Sequence, residues 1–191
     1  MSRMILILIV MLLSGCQQLR QSQHSCITLA ADVNQCLAPL PWQHSAPPAD
    51  ELTQLVTLKR YDKQQQLTMS LALTPQNMTI IGLAPLGQAL FTLQFDGHTL
   101  SSEQSMLLGE QFRADYLVAM LQLVYWPQAA LQQAISGAEL SEQQCGKALC
   151  RQLRRDDKLI ASVEYQQSDK WHSQAVLTLP QADVRLTINP L

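Results

Sequence analysis

Leu67-Thr68-Met69-Ser70-Leu71-Ala72-Leu73-Thr74 alternates an apolar side chain with a small or polar one without a break. Successive side chains of a strand point to opposite faces, so Leu67, Met69, Leu71 and Leu73 share one apolar face. Met78 to Leu83 is a second apolar stretch, and Ala89, Phe91, Leu93 and Phe95 share the face of a third strand. Asp96-Gly97 then signals a tight hairpin, because glycine accepts the positive φ such turns require. Leu100 to Leu108 is expected to return antiparallel, giving a meander of neighbouring strands.

The period changes at Arg113. Leu117, Met120, Leu121 and Val124 follow i, i+3, i+4, i+7 spacing and form one apolar stripe of a helix. Trp126-Pro127 ends it, since a proline disfavours helical conformation in the residue before it. Pro127 also suits the first turn of a second helix, which carries Leu131 and Ile135 and stops at Gly137. Strands resume with Leu159, Ala161, Val163 and Tyr165, then Ala175, Leu177 and Leu179, and finally Val184, Leu186 and Ile188. Ser168-Asp169 and Pro180-Gln181 supply the turns. Strands, a helix pair, then strands again indicate an α+β fold with an antiparallel sheet.

Upstream, residues 17 to about 50 read as a tether, led by glutamine and serine and interrupted by Pro39, Pro41, Pro47 and Pro48. Before it, Arg3 and the apolar run Met4 to Leu13 are too short for a spanning helix, which needs about 20 residues. The run closes on Leu13-Ser14-Gly15-Cys16, the order of a lipoprotein signal peptide cut before an acylated Cys16. Gln17, where aspartate would favour the inner membrane, favours the periplasmic face of the outer membrane. The expected organisation is therefore a signal peptide over 1–15, a lipid-anchored tether over 16–50 and a folded domain over 51–191.

Removal of 15 residues from the 191 leaves 176, enough for one domain with a sizeable core. Loss of Arg3 takes the formal charge from −2 to −3, and no long basic run occurs, so nucleic acid is a poor partner. Cys26, Cys36, Cys145 and Cys150 remain, and an even number in an exported chain favours disulfides. Four cysteines allow three connectivities; the local pairs Cys26–Cys36 and Cys145–Cys150 are favoured, each closing a small loop. A four-thiolate zinc site is the rival, with unusual spacings for zinc in a compartment unfavourable to free thiols.

Catalysis would need a constellation. His24, His44, His98 and His172 form no His-Glu-x-x-His pair, and neither a Gly-x-Ser-x-Gly elbow nor a phosphate loop occurs. Asp156-Asp157 beside Arg154 and Arg155 reads as a solvated turn. The expectation is a protein that is not an enzyme and needs no cofactor or metal. The apolar sheet face must be covered, and two short helices can do so completely, giving a filled core, or incompletely, leaving a cavity for acyl chains. Met69, Met78, Met106 and Met120 suit either, as adaptable lining or as gap-fillers.

Pro85-Leu86-Gly87 between two strands, Ala114-Asp115 opening an apolar helix, Leu131-Gln132-Gln133-Ala134-Ile135-Ser136-Gly137, and Lys170-Trp171 among the closing strands occur in a characteristic order. That order resembles the LolA/LolB-like outer-membrane lipoprotein superfamily, over roughly Leu52 to Ile188. The resemblance implies an incomplete antiparallel β-barrel, a half-barrel, with a short helical lid over a hydrophobic cavity. It implies Leu71, Leu73, Ile80, Phe91, Leu93 and Val163 as lining positions, faced by Leu117, Met120, Leu121 and Val124 from the lid. Leu86 then sits where the family carries an apolar residue that aids delivery to the membrane, the alternative being a buried turn residue. The implied partners are a membrane held through N-terminal acyl chains, a hydrophobic lipid or lipoprotein ligand, and a LolA-like periplasmic carrier. Cys145, Cys150 and Tyr125-Trp126-Pro127 depart from the pattern. They are closer to a family of bacterial lipoproteins found beside aryl-polyene pigment genes, which makes a polyene lipid a rival ligand. The other reading is a structural or assembly lipoprotein with a filled core and a protein partner.

Overall fold

The computed structural model describes residues 20–23, 25–108, 112–146 and 148–191. The signal peptide, Cys16 and Gln17 lie outside them.

Alternation sets the first half of the main sheet. β1 (Arg20–Gln23) is followed by the small hairpin β2 (Cys26–Ala30) and β3 (Val33–Cys36). Then β4 (Glu51–Arg60), β5 (Lys63–Thr74), β6 (Asn77–Leu83), β7 (Ala89–Phe95) and β8 (Thr99–Gln104) run up and down as neighbours. β8 is shorter than the expected return strand, because Met106–Leu108 turns into a single 3₁₀ turn. The Asp96-Gly97 hairpin is built as its residues demand. Asp96 Oδ1 accepts the backbone N–H groups of His98 and Thr99 at 2.8 and 2.7 Å, and Gly97 takes φ +94°.

Among the described residues the α-helices are α1 (Ala114–Tyr125) and α2 (Gln128–Ala134), joined at Trp126-Pro127 as the proline requires. A two-residue β9 (Ile135–Ser136) pairs with β3, completing a separate three-stranded sheet. Gly137 follows with φ +81°, and a Cβ there would lie 1.9 Å from the carbonyl oxygen of Asp32. Only glycine permits this close approach to the β2–β3 turn.

The second meander is β10 (Glu139–Cys145), β11 (Ala148–Arg155), β12 (Lys158–Tyr165), β13 (Ala175–Leu179) and β14 (Val184–Pro190). β14 pairs with β4, with Leu186 opposite Leu58 and Ile188 opposite Val56. The two meanders thus fuse into one antiparallel sheet of order β1-β8-β7-β6-β5-β4-β14-β13-β12-β11-β10. The sheet remains open, with β1 and β10 at opposite edges, rather than closing as a barrel.

Its inner face carries Leu71, Ile80 and Leu93 in register across β5, β6 and β7, with Leu73, Met78 and Phe95 in the next row. Against it lies α1, whose residues from Val118 to Tyr125 are all buried. A helix buried all round needs cover on every side. Here β2 and β13 both pack against it.

Over residues 25–50 this corrects the expectation of a tether. Ile27, Val33, Ala38, Leu40 and Trp42 belong to the same core as the main sheet. The prolines prevent long regular elements there, but the apolar residues between them still dock. The expected disulfides are both formed, Cys26–Cys36 across the β2–β3 pair and Cys145–Cys150 across the β10–β11 hairpin.

Candidate functional site

The alternation of β5, β6, β7 and β12 turns Leu71, Leu73, Ile80, Phe91, Leu93 and Val163 inward, and all six are buried. From α1, Met120, Leu121 and Val124 are buried with them, and Leu117 is half-buried against the same core. The structure therefore brings together all ten residues expected to line a cavity. They meet as a packed core. One small hollow lies among Leu123, Leu140, Arg151, Leu153, Ala161, Ser162 and Val163 and is too small to admit water. Another, about 80 Å³, is polar and lined by Thr92, Gln94, Ser101, Ser102 and Glu103 on β7 and β8. In this conformation α1 is less a lid over a void than the filling of the sheet's inner face.

Polar side chains hold α1 in place. Gln122, fully buried, accepts from the Ala38 N–H at 2.9 Å and donates to the Ala38 carbonyl at 2.8 Å. Gln35 Nε2 donates to the Ala119 carbonyl at 3.1 Å. At the C-terminal end, where helix carbonyls lack intrahelical partners, Arg151 donates to Leu123, Val124 and Trp126 carbonyls at 2.8, 3.3 and 2.5 Å. The Tyr165 hydroxyl donates to the Val124 carbonyl as well. A cation at this end also complements the helix dipole.

Arg151 reaches across to Glu142 Oε2 at 2.6 Å, and Lys170 Nζ meets the same oxygen at 2.7 Å. Burial opposes ionisation of Glu142, yet hydrogen bonds from Lys170 and Arg151 outweigh it and hold the carboxyl below its ordinary range. Lys170 is shifted down, first by burial and also by Arg151 sharing its counter-ion. Beside this network, Trp171 stacks on Tyr125 at 4.4 Å, and Trp42 packs between Trp126 at 5.2 Å and Trp171 at 5.9 Å. Burial pushes the Tyr125 hydroxyl up, with Gln54 Nε2 donating to it at 2.6 Å.

Outside the core, Pro85-Leu86-Gly87 forms the β6–β7 turn, closed by the Gly87 N–H donating to the Ala84 carbonyl at 2.8 Å. Gly87 takes φ +80°, and Leu86 projects outward, 91% exposed. Among the histidines, His98 sits in the β7–β8 turn, and His172 pairs with Asp169 at 2.8 Å on the surface.

Residues 51–191 match the family model described as a protein of unknown function, DUF3261. The chain belongs to this family. The matched DUF3261 region begins at β4 and contains every main-sheet strand but β1, together with α1, Arg151 and the Leu86 turn. The structure is similar to the crystal structure of a provisionally assigned outer membrane lipoprotein-sorting protein domain from Vibrio parahaemolyticus, at 8% identity and a TM-score of 0.38. That similarity covers 73% of this chain and 82% of the other. No curated protein matches.

Sequence reasoning about this DUF3261 chain missed the polar clamps. Arg151 lies on the inner side of β11 beside Leu153, and Gln54 lies between Leu52 and Val56 on β4. A polar residue at an inward position of an alternating strand was the available signal. Gln122 could not be found so, because its partner is a backbone segment read as tether.

Proposed function

We propose that this DUF3261 chain is a lipoprotein of the outer membrane, acylated on Cys16, that binds and transfers a hydrophobic acylated ligand without catalysing a reaction. The observation that carries this reading is the Leu86 turn. A closed, hydrogen-bonded turn holds a leucine out in solvent, next to a sheet whose inner face is largely apolar. A lone exposed leucine is common, but this one occupies the place where the resembling LolB-like proteins carry a residue that aids membrane delivery.

Ligand entry would exchange α1–sheet contacts for acyl–sheet contacts. Each square ångström of apolar surface is worth about 25 cal/mol in either partnership. Such an exchange is close to neutral, as a transfer protein requires. The helix would open from its half-exposed start near Ala114–Leu117, because Gln122 and Arg151 clamp the other half. Lipoprotein acyl chains delivered by a LolA-like carrier, or a polyene lipid, are the ligands this reading proposes.

The filled inner face favours a second reading, an assembly lipoprotein with a protein partner. One experiment separates the two. The chain lacking its first 16 residues would be purified from periplasm without detergent, extracted with organic solvent and analysed by mass spectrometry. A stoichiometric acyl or polyene species supports transfer and names the ligand class. A clean protein that also fails to bind a hydrophobic fluorophore favours the assembly factor.

A further inference from the structure

Five large apolar residues are exposed among the described residues: Tyr61, Leu86, Met106, Leu107 and Leu191. Four of them share one end of the main sheet. Strand directions place the β4–β5 turn, the β6–β7 turn and the segment after β8 at that end. At the other end the β5–β6 turn presents Pro75 and Gln76, and the β7–β8 turn presents Asp96 and His98.

Met106 and Leu107 are the most concentrated of these, 98% and 71% exposed on consecutive positions. They are held out by a built turn. The Ser105 N–H donates to the Leu90 carbonyl at 2.8 Å, and the Leu108 N–H donates to the Ser105 carbonyl at 3.1 Å. Ser105 Oγ accepts from the Leu107 N–H at 3.3 Å, while Leu108 packs against the core.

The edge strand gives this end a direction. β1 pairs antiparallel with β8, Arg20 opposite Ser102 and Gln23 opposite Thr99. Moving towards lower numbers on β1 therefore leads the same way as moving from Ser102 towards Met106. Cys16 precedes Arg20 by four residues, which reach at most about 14 Å. An acylated Cys16 cannot leave the bilayer surface far from this end of the sheet.

We infer that Met106 and Leu107 are a membrane footing, inserting into the bilayer that holds Cys16 and standing the β1–β8 edge upright with the Leu86 end down. The inference rests on the lipoprotein reading above. Acyl chains on a short tether fix distance but not orientation. Two aliphatic side chains on a rigid turn beside the anchor fix orientation as well, since apolar groups gain by entering the acyl boundary.

The test uses the full chain in vesicles of phosphatidylethanolamine and phosphatidylglycerol. With the disulfides formed and Cys16 acylated, a cysteine introduced by Met106→Cys, Leu107→Cys or Gln76→Cys is the free thiol for an environment-sensitive fluorophore. Quenching by spin-labelled lipid is expected to be several-fold greater at 106 and 107 than at 76. To exclude a label that inserts on its own, the fluorophore is also placed by Gln88→Cys with Met106 and Leu107 intact. Adding Met106→Glu and Leu107→Glu should then cut quenching at 88 several-fold with an unchanged melting temperature. Mass spectrometry of the N-terminal peptide is read in parallel. Equal quenching at 106, 107 and 76 with acylated Cys16, or unchanged quenching at 88 in the glutamate pair, overturns the footing alone. An unacylated Cys16 on a chain that does not bind vesicles overturns the lipoprotein reading and the footing with it.

Discussion

Arg151 on β11 donates to the carbonyl of Trp126 at 2.5 Å, so a strand side chain closes the C-terminus of the helix that fills the sheet. The same guanidinium satisfies two further carbonyls and Glu142. Arg151→Met should therefore leave helix carbonyls and a carboxylate without their donor, destabilising the fold by about 3–5 kcal/mol. Urea denaturation measures it, and a loss below about 1 kcal/mol would mean water replaces the guanidinium at no cost.

Glu142 makes stability depend on pH. Its carboxyl titrates below the ordinary 4.5 when folded. The folded state thus binds the proton less readily than the unfolded state, and the contribution is fully present above 4.5. It is lost as pH falls through the lower folded value. The melting-temperature difference between wild type and Glu142→Gln should shrink as pH is lowered through this range. A difference that stays constant from neutral pH to acid would show that the ion network adds nothing.

Gln122 ties α1 to the residue 38 backbone by both its donor and its acceptor. Gln122→Leu removes both partners from buried backbone groups, and a loss of about 2–4 kcal/mol is expected from two orphaned groups. Limited proteolysis adds a local readout, because cleavage between 37 and 50 should accelerate before global unfolding. Cleavage unchanged from wild type would contradict the clamp.

Gly82 lies opposite Met69 and Phe91 on the inner face. A Cβ there would meet the Phe91 ring at 2.3 Å. The ring end of a phenylalanine can sometimes swing away, but Phe91 is buried and stacked on Phe112 at 4.8 Å. Gly82→Val should cost about 1–3 kcal/mol through overpacking. Combined with Phe91→Leu, which makes room, the added cost of the valine should fall in a double-mutant cycle.

Leu86→Glu touches no packed contact and should leave the melting temperature within about 0.5 kcal/mol equivalent of wild type. Handover of an acylated ligand to vesicles should nevertheless fall, and transfer at the wild-type rate would remove the turn from the mechanism.

The strands around Leu71, Ile80, Leu93, Val163, Leu177 and Leu186 were legible because one face of each is buried, whereas β4, β10 and β11 were not read as strands. The α1 stripe at Leu117, Met120, Leu121 and Val124 was equally plain, although it understated the helix. Val118, Ala119, Leu123 and Tyr125 are buried too, because β2 and residues 38–42 cover the side a stripe would leave wet. That cover was illegible. Pro39, Pro41, Pro47 and Pro48 erase periodicity, so Leu40 and Trp42 carry no pattern even though both are core residues. The pairing of β14 with β4 was likewise hidden, since alternation fixes which side of a strand faces inward and says nothing about its distant neighbour.

That pairing has a consequence for how the molecule comes to exist. Each meander can zip up from adjacent hairpins, but the seam between them needs Val184–Pro190 beside Glu51–Arg60, two stretches more than a hundred residues apart. Loop closure over that span must be paid before the contacts at Leu58 and Val56 return anything. A chain emerging N-terminus first would hold two half-sheets with raw inner faces until its final strand arrives. The apolar interior is hidden only once Val184–Pro190 has been made and brought beside Glu51–Arg60, and the interval before that is when the chain is most exposed to chaperones, proteases and its own copies.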